Sequence, residues 1–282
     1  MPKLTIGMCC FDDYDGVYFT CQSLRTYLPF CKNKDNVEIL VVDNNPESKD
    51  GEATKNFCLN SQEVKYIPYT EKTGTSVRNQ IFNNASGEYC LCLDSHVLLL
   101  PNSLMALMHY YENNPNCKDI VQGPMMYDSL KDRGYSHFIP EWGDLMYGRW
   151  GSNKEALAKN IPFEIPMQGL GLFSCKTENW LGFNEHFKGF GGEEGYIHEK
   201  FRQNGGRAIC IPQLRWLHRF GRPKGISYPN IIEDRAWNYF VGWLELTGNP
   251  EDMMIKNIYE IFQNRCKNID SILEKAIRTI IL

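Results

Sequence analysis

The stretch Gly87-Glu88-Tyr89-Cys90-Leu91-Cys92-Leu93-Asp94-Ser95-His96 carries the most informative pattern in the chain. Its uncharged run, 89–93, predicts a strand that is covered on both faces. Because side chains alternate along a strand, we expect Asp94 and His96 to point to the same side. A carboxylate and an imidazole placed in this way can bind one divalent cation, such as manganese or zinc. An isolated Asp-x-His can also simply end a strand, so the metal hypothesis needs support from the rest of the chain.

The sequence on either side alternates between strand-like and helix-like segments. Strands are predicted at 4–9, 37–42, 64–67, 119–122, 166–173 and 207–211, and helices at 17–28, 53–59, 77–85, 104–111, 193–204 and from 231 onward. This alternation predicts an α/β fold with a mainly parallel sheet. Ligands of such sheets bind beyond the carboxyl ends of the strands. Four acidic residues follow such ends, namely Asp12, Asp13, Asp43 and Asp94.

Three segments between these elements carry more local predictions. We expect the first helix to end near Pro29, and the hydroxyl-rich run 73–76 to cap the helix that follows it. The segment 129–166 has weak periodicity and many aromatic residues. Its length favours a lid or binding loop, and its aromatic side chains suit either ligand stacking or the core of a β-hairpin. His198, four residues after Glu194, is expected to form a solvated pair with it on one helix face.

Composition and charge narrow the functional class. The chain has 282 residues, of which 43% are hydrophobic and 23% charged, and its formal net charge is -4. The absence of a basic run argues against non-specific nucleic-acid binding without excluding a local groove. The 11 cysteines are an odd number and several lie in apolar runs, which favours buried thiols over disulfides or a Cys90-x-Cys92 metal site. With no signal-peptide pattern and no membrane span in the sequence, we expect a cytoplasmic protein.

Three blocks of sequence resemble the glycosyltransferases of the GT-A fold, above all the polypeptide N-acetylgalactosaminyltransferases and the related family 2 enzymes. The blocks are Val41-Val42-Asp43-Asn44-Asn45, the run 73–96, and the run 167–220, which contains Phe190-Gly191-Gly192-Glu193-Glu194 and Leu217-His218-Arg219-Phe220. The resemblance covers roughly residues 3–245 and lies in the order and spacing of these blocks. It implies a Rossmann-like GT-A catalytic domain over residues 1–245, with residues 246–282 as a C-terminal helical extension.

The resemblance also implies the parts of an active site. His218 would join Asp94 and His96 as a third ligand of a divalent metal, most simply Mn²⁺, with Mg²⁺ as an alternative. Asp43 would contact the nucleotide base, and Arg78 the diphosphate, with Arg222 as a second candidate for that role. Glu193 would bind hydroxyls of the donor sugar. Glu194 stands where the N-acetylgalactosaminyltransferases have Asn, so it is a candidate general base for an inverting reaction, whereas a retaining reaction needs no such base.

The resulting hypothesis is a metal-dependent hexosyl- or N-acetylhexosaminyltransferase that moves a sugar from a UDP-sugar to an acceptor hydroxyl on a protein, a glycan or another molecule. One alternative acceptor is a hydroxymethylated base in DNA. A second alternative is a nucleotide-sugar or glycan-binding protein without activity. A nucleotidyltransferase is disfavoured because the loop 11–16 is acidic rather than Gly-rich and basic. The sugar, the acceptor and the oligomeric state do not follow from the sequence.

Overall fold

The computed structural model describes residues 3–27, 37–129, 134–222 and 224–282. The strands are β1 (Leu4–Cys10), β2 (Val37–Asp43), β3 (Val64–Pro68), β4 (Tyr89–Asp94), β5 (Val97–Leu99), β6 (Ile120–Gln122), β7 (Met125–Tyr127), β8 (His137–Gly143), β9 (Met146–Gly151), β10 (Phe163–Glu164), β11 (Leu172–Lys176), β12 (Ala208–Cys210) and β13 (Trp216–His218). The α-helices are α1 (Tyr14–Tyr27), α2 (Lys49–Leu59), α3 (Asn79–Asn84), α4 (Ser103–Asn113), α5 (Lys154–Lys159), α6 (Glu194–Gln203), α7 (Ile232–Thr247), α8 (Met253–Phe262) and α9 (Ile269–Ile280).

Eight of these strands form the central sheet, in the order β10-β12-β6-β11-β4-β1-β2-β3. The strands β4, β1, β2 and β3 run parallel to one another, and β6 runs parallel to β12. Two strands run against this direction: β11 lies antiparallel between β4 and β6, and β10 is antiparallel to β12. The predicted α/β fold with a mainly parallel sheet is therefore confirmed. Two smaller sheets, β5-β13-β7 and the hairpin β8-β9, lie beside it.

Both faces of the sheet are covered, as the uncharged sequence of β4 predicts. Cys90 and Cys92 belong to a hydrophobic cluster shared with α3, α6 and α7. The alternating residues Tyr89, Leu91 and Leu93 belong to a second cluster, shared with α1 and α4. Each strand side chain thus packs on one of two layers of helices, and this alternation places the end of β4 at a fixed point between the layers.

The three C-terminal helices are part of the first cluster. Buried residues of α8 and α9, among them Ile258, Phe262 and Ile272, share it with the buried face of α7 and with the sheet. The helical C-terminal region is present as expected. The predicted boundary between residues 245 and 246 falls within α7, and the division into a catalytic domain and an extension stays a prediction.

Several local predictions change in detail. The run 73–76 provides no side-chain cap: a 3-10 turn, Thr75–Arg78, precedes α3, and Gly74 takes the N-cap position at φ 94°. The predicted strand 166–173 begins only at Leu172. In the described part of 129–166, the aromatic residues build the hairpin β8-β9, one of the two alternatives. The predicted end of α1 near Pro29 lies outside the described residues.

The chemical state of the cysteines agrees with the sequence. The ten cysteines within the described residues are free thiols, and eight of them are buried. Burial raises the pKa of the Cys9 thiol to about 12, which keeps it protonated and unreactive. No helix in the described part of the chain is both long enough and apolar enough to cross a membrane.

Candidate active site

A cavity of about 330 Å³ opens where β1 and β4 end. The two strands are paired in parallel with Cys9 opposite Asp94, so their following loops leave the sheet at the same edge. The carboxylate, guanidinium and imidazole side chains around the cavity are Asp13, Arg78, Asp94, His96, Glu193, Glu194, His218, Arg222 and Arg235. The position beyond the strand ends is the one that the sequence predicted.

Asp94, His96 and His218 form a compact triad in this cavity. Asp94 ends β4, His96 follows it in the turn to β5, and His218 ends β13, where pairing with β5 sets it opposite Val97. Oδ2 of Asp94 lies 3.9 Å from Nε2 of His96 and 4.0 Å from Nε2 of His218. The two ring nitrogens are 3.2 Å apart. The structure therefore brings together all three residues that were predicted as metal ligands.

The donor set fits a divalent cation. Two ligand atoms at right angles, each about 2.1 Å from a metal ion, lie about 3.0 Å apart, close to the 3.2 Å between the two imidazole nitrogens. Burial lowers the pKa of His218 to about 4, so its imidazole is neutral and has a lone pair to offer. Two facing lone pairs repel each other unless a cation or a proton lies between them. The chemistry of the triad thus suits a metal of the Mn²⁺ or Zn²⁺ type.

Arg78 fixes the carboxylate of this triad. Its Nη2 donates to Oδ1 of Asp94 at 2.8 Å, which leaves Oδ2 facing the histidines. Its Nη1 lies 3.5 Å from Oε1 of Glu193. Burial opposes ionisation of Asp94, but Arg78 and the two histidines outweigh burial and lower the pKa of this carboxyl. Arg78 therefore connects the triad with the acidic residue Glu193.

Glu193 and Glu194 enter the cavity from the start of α6. The preceding Gly191 and Gly192 adopt φ angles of 93° and 92°, which L-residues with a Cβ rarely adopt. A Cβ on Gly192 would lie 2.9 Å from the Cβ of Asn238, so the glycine lets the turn pack against α7. Glu193 and Glu194 each have one buried carboxylate oxygen that finds no partner among the described residues. Burial and the neighbouring Glu193 raise the pKa of Glu194, so this carboxyl holds its proton more tightly than an exposed one.

The two remaining predicted residues differ in position. Arg222 lines the cavity, and its Nη1 lies 3.1 Å from Nδ1 of His96. Asp43 is buried next to the lining residue Asn44 but does not itself line the cavity. Its carboxylate accepts hydrogen bonds from the Tyr66 hydroxyl at 2.9 Å and from the Asn45 backbone N–H at 3.0 Å. The predicted role of Asp43 in base binding stays a prediction.

Three further groups line the cavity that were not among the predicted site residues. Asp13 lies 3.2 Å from Nδ1 of His96, although only its place after β1 had marked it. Arg235, on α7, lines the cavity and has a buried Nε without a partner among the described residues. The aromatic wall combines Phe138 and Trp150 of the hairpin with the stacked pair Phe190 and Tyr228, whose ring centroids are 3.6 Å apart. No local motif marks Arg235, because it reaches the cavity only through the packing of α7 against the turn at Gly191.

The prediction for His198 is wrong. The residue is fully buried, and burial lowers its pKa to about 3, so it is a neutral imidazole rather than half of a solvated pair. Its Nε2 lies 2.6 Å from Oε1 of Gln122, and its Nδ1 contacts the carbonyl of Glu194. Gln122 in turn donates to the carbonyl of Gly169, which lines the cavity. The spacing of four residues correctly gives a common helix face, but this face packs against β6.

Comparison with known proteins agrees with this architecture. The model of the family described as glycosyl transferase family 2 matches residues 5–175. No curated protein sequence matches the chain. Among solved structures, the chain is similar to GalNAc-T7 in a complex with UDP, GalNAc and Mn²⁺, with a TM-score of 0.66 and 16% identity, over 96% of this chain and 58% of that one. The chain thus spans little more than half of the GalNAc-T7 structure.

Two further structures show the same fold. One is the mannosyltransferase PcManGT from Pyrobaculum calidifontis in complex with GDP-Man and Mn²⁺, with a TM-score of 0.59 and 16% identity, over 98% of this chain and 73% of that one. The other is S. aureus TarS in complex with UDP-GlcNAc, with a TM-score of 0.59 and 14% identity, over 99% and 88%. These likenesses establish a GT-A fold, and the family match covers more than half of the sequence. The chain therefore belongs to glycosyl transferase family 2.

Proposed function

We propose that this protein is a metal-dependent glycosyltransferase that moves a hexosyl or N-acetylhexosaminyl group from a UDP-sugar to an acceptor hydroxyl. The observation that carries the proposal is the triad of Asp94, His96 and His218 beside Arg78 at the end of β4. A divalent cation held there would act as a Lewis acid toward the leaving nucleoside diphosphate. The triad lies in the same cavity as the acidic pair at the start of α6, which suits a site for a diphosphate and a sugar together.

The choice of donor rests on the structural neighbours. GalNAc-T7 was solved with UDP and Mn²⁺, TarS with UDP-GlcNAc, and PcManGT with GDP-Man and Mn²⁺. Two of these three therefore hold a uridine nucleotide, and two hold manganese. We infer UDP as the nucleotide and Mn²⁺ as the metal, with Mg²⁺ as the alternative ion. Asp43, buried at the end of β2, would contact the base through the loop that contains Asn44.

The cationic side chains would hold the diphosphate. Arg78 is buried and already bonded to Asp94, so it can present its remaining N–H groups without a large loss of side-chain entropy. Arg222 is also buried, and its Nε has no partner in the described structure. A buried donor without a partner is costly, and oxygens of the diphosphate would satisfy it. Both guanidinium groups would thus stabilise the charge that develops on the leaving group.

The acidic pair would handle the sugar and the acceptor. Glu193 is held by Arg78, and its Oε2 has no hydrogen-bond partner within the described part of the chain, which suits it to bind sugar hydroxyls. Glu194 has a raised pKa and would take the proton from the acceptor hydroxyl as a general base. In that role it predicts inversion at the anomeric carbon.

A thermal-shift panel tests the donor and the metal. The protein is heated with UDP, GDP, CMP or dTDP, each in Mn²⁺ or in EDTA. A ligand at 100 times its Kd stabilises the native state by about 2.7 kcal/mol, so we expect UDP with Mn²⁺ to raise Tm by several degrees and UDP with EDTA to have no effect. The same panel on Asp94→Asn should show no shift, whereas the surface variant Asp15→Asn should behave like the wild type.

Turnover tests the chemistry. We expect slow Mn²⁺-dependent hydrolysis of a UDP-sugar by the wild type and none by Asp94→Asn or His218→Gln. If no nucleotide stabilises the wild type with either Mn²⁺ or Mg²⁺, the proposed function is wrong. If UDP and Mn²⁺ bind but no UDP-sugar is hydrolysed or transferred, a nucleotide-sugar-binding protein without activity replaces it.

A further inference from the structure

One ring nitrogen in the triad lies close both to a hydrogen-bond acceptor and to a hydrogen-bond donor. Nδ1 of His96 lies 3.2 Å from Oδ2 of Asp13 and 3.1 Å from Nη1 of Arg222. The Ser95 hydroxyl donates to the same Asp13 oxygen at 2.7 Å and holds the carboxylate in place. The other ring nitrogen of His96, Nε2, faces Nε2 of His218 at 3.2 Å.

A neutral imidazole carries one N–H and one lone pair, so only one of these contacts to Nδ1 can be a hydrogen bond at a time. The ionised Asp13 can only accept and therefore needs the proton on Nδ1. Arg222 can only donate and therefore needs the proton on Nε2. The two residues favour opposite tautomers of His96, and exchange between the tautomers neither adds nor removes a proton.

The tautomers differ in what the triad can bind. With the proton on Nδ1, as Asp13 requires, Nε2 presents its lone pair toward Asp94 and His218, and the site can accept a cation. With the proton on Nε2, as Arg222 requires, that N–H donates to Nε2 of His218. A hydrogen bond between the two histidines then closes the space where a cation would bind.

We propose that Asp13 and Arg222 set the tautomer of His96, and that a diphosphate which draws Arg222 away from His96 strengthens metal binding. The inference rests on the proposed function, because it takes the triad as the metal site. Asp13 is thus a positioning residue for the metal, and Arg222 couples binding of the diphosphate to binding of the metal. Arg222 is suited to change partners. Among the residues that the structure describes, its nearest carboxylate oxygen is Oδ2 of Asp13 at 4.0 Å, and its Nε has no partner.

Metal affinity without any nucleotide gives the first test. Binding of Mn²⁺ is measured by calorimetry or by the electron paramagnetic resonance of the free ion. Loss of a carboxylate behind a ligating histidine commonly weakens metal binding about 10- to 100-fold, and we expect this for Asp13→Asn, because an amide can donate to Nδ1. For Arg222→Met we expect the opposite, a several-fold tighter Mn²⁺ site. Added UDP should then increase Mn²⁺ affinity less in Arg222→Met than in the wild type.

Matched controls come from the same two segments. Asp15 and Arg219 form a 2.8 Å ion pair with each other, and neither side chain contacts His96. Asp15→Asn and Arg219→Met should therefore bind Mn²⁺ like the wild type. The tautomer itself is read from the ¹⁵N shifts of the labelled histidines in metal-free protein, with His96 assigned by its absence in His96→Gln. In Arg222→Met, the Nδ1-protonated form should become the major one.

The outcomes separate the inference from the proposed function. If the wild type binds no Mn²⁺ even with UDP, the metal site itself is wrong. If the wild type binds Mn²⁺ but Arg222→Met binds it equally or more weakly, or leaves the His96 tautomer unchanged, the inference is overturned while the metal site stands. An Asp13→Asn protein that is folded and keeps wild-type Mn²⁺ affinity overturns the inference as well.

Discussion

Arg78→Met should strongly destabilise the protein, because it removes the guanidinium that the buried Glu193 and the partly buried Asp94 share. The Arg78 side chain is 9% exposed, and its partners Asp94 and Glu193 are 23% and 5% exposed. Removal of one partner from a buried ion pair leaves an uncompensated charge and costs about 3–5 kcal/mol. We expect a loss of that size in the free energy of unfolding at pH 7, a large share of the roughly 5–15 kcal/mol that holds a domain folded.

Urea unfolding in EDTA, followed by tryptophan fluorescence, measures this loss. Arg149→Met is the matched control: its pair with Glu141 is exposed, with 62% and 58% of the two side chains accessible, so it should cost less than about 1 kcal/mol. Arg78→Met combined with Glu193→Gln should recover part of the loss, because it removes one unpaired charge. If Arg78→Met costs no more than the control, the carboxylates are not held as ions by Arg78.

The pH dependence of the same variant has a defined sign. The pKa of Asp94 is lowered in the folded protein, because Arg78 and the histidines outweigh burial. Its contribution to stability is therefore present above the unfolded pKa of roughly 3.9 and is lost as pH falls through the lower folded value. The difference between wild type and Arg78→Met should shrink as pH is lowered from 5 toward 2. A difference that stays constant over this range would contradict the ion-pair account.

Three further variants test other parts of the site. Glu194→Gln should abolish transfer but keep Mn²⁺-dependent UDP binding. The pKa of Glu194 is raised in the folded state, so this carboxyl makes the wild type less stable as pH rises above the unfolded pKa of roughly 4.3. Thermal unfolding should therefore show the variant as the more stable protein at pH 8 but not at pH 4. His198→Leu leaves Oε1 of Gln122 buried without its partner and should cost about 1–3 kcal/mol in urea unfolding. Gly192→Ala should lower stability by more than Gly205→Ala. Both glycines have a positive φ, 92° and 79°, but a Cβ at Gly192 would lie 2.9 Å from Asn238, whereas a Cβ at Gly205 would have no atom within 4 Å. Equal losses of stability would show that the turn can adapt to a side chain.

The fold was predictable because its signals are local. The alternation of β4 and its uncharged sequence predicted a strand between two layers, and both hydrophobic clusters bear this out. The common side of Asp94 and His96 follows from the same alternation. The antiparallel direction of β11 was not predictable, since a short apolar segment carries no sign of its direction. Its start was placed too early because the small residues before Leu172 also suit an extended chain.

The site was predictable only in part, because most of it depends on pairing between distant segments. His218 lies 122 residues from His96 in sequence. The β13-β5 pairing brings them together, and the sequence around either residue does not indicate this pairing. Family resemblance supplied that ligand. The error on His198 has a related cause: helix spacing gives the face but not the surface packed against it. Asp13 was noted for its place after β1, but its hydrogen bond to His96 depends on the parallel register of β1 and β4.

The charges in the cavity favour simultaneous binding of metal and nucleotide. Within the described residues, four carboxylates line it, Asp13, Asp94, Glu193 and Glu194, with three guanidinium groups, Arg78, Arg222 and Arg235. A nucleoside diphosphate adds negative charge beside Asp94, where the single charge of Arg78 is already shared by two carboxylates and Arg222 contacts His96. At an effective dielectric constant of 20, two like charges 4 Å apart repel by about 4 kcal/mol. A divalent cation between them reverses that sign, so we expect EDTA to abolish UDP binding rather than only weaken it, and UDP binding that persists in EDTA would show that the arginines suffice.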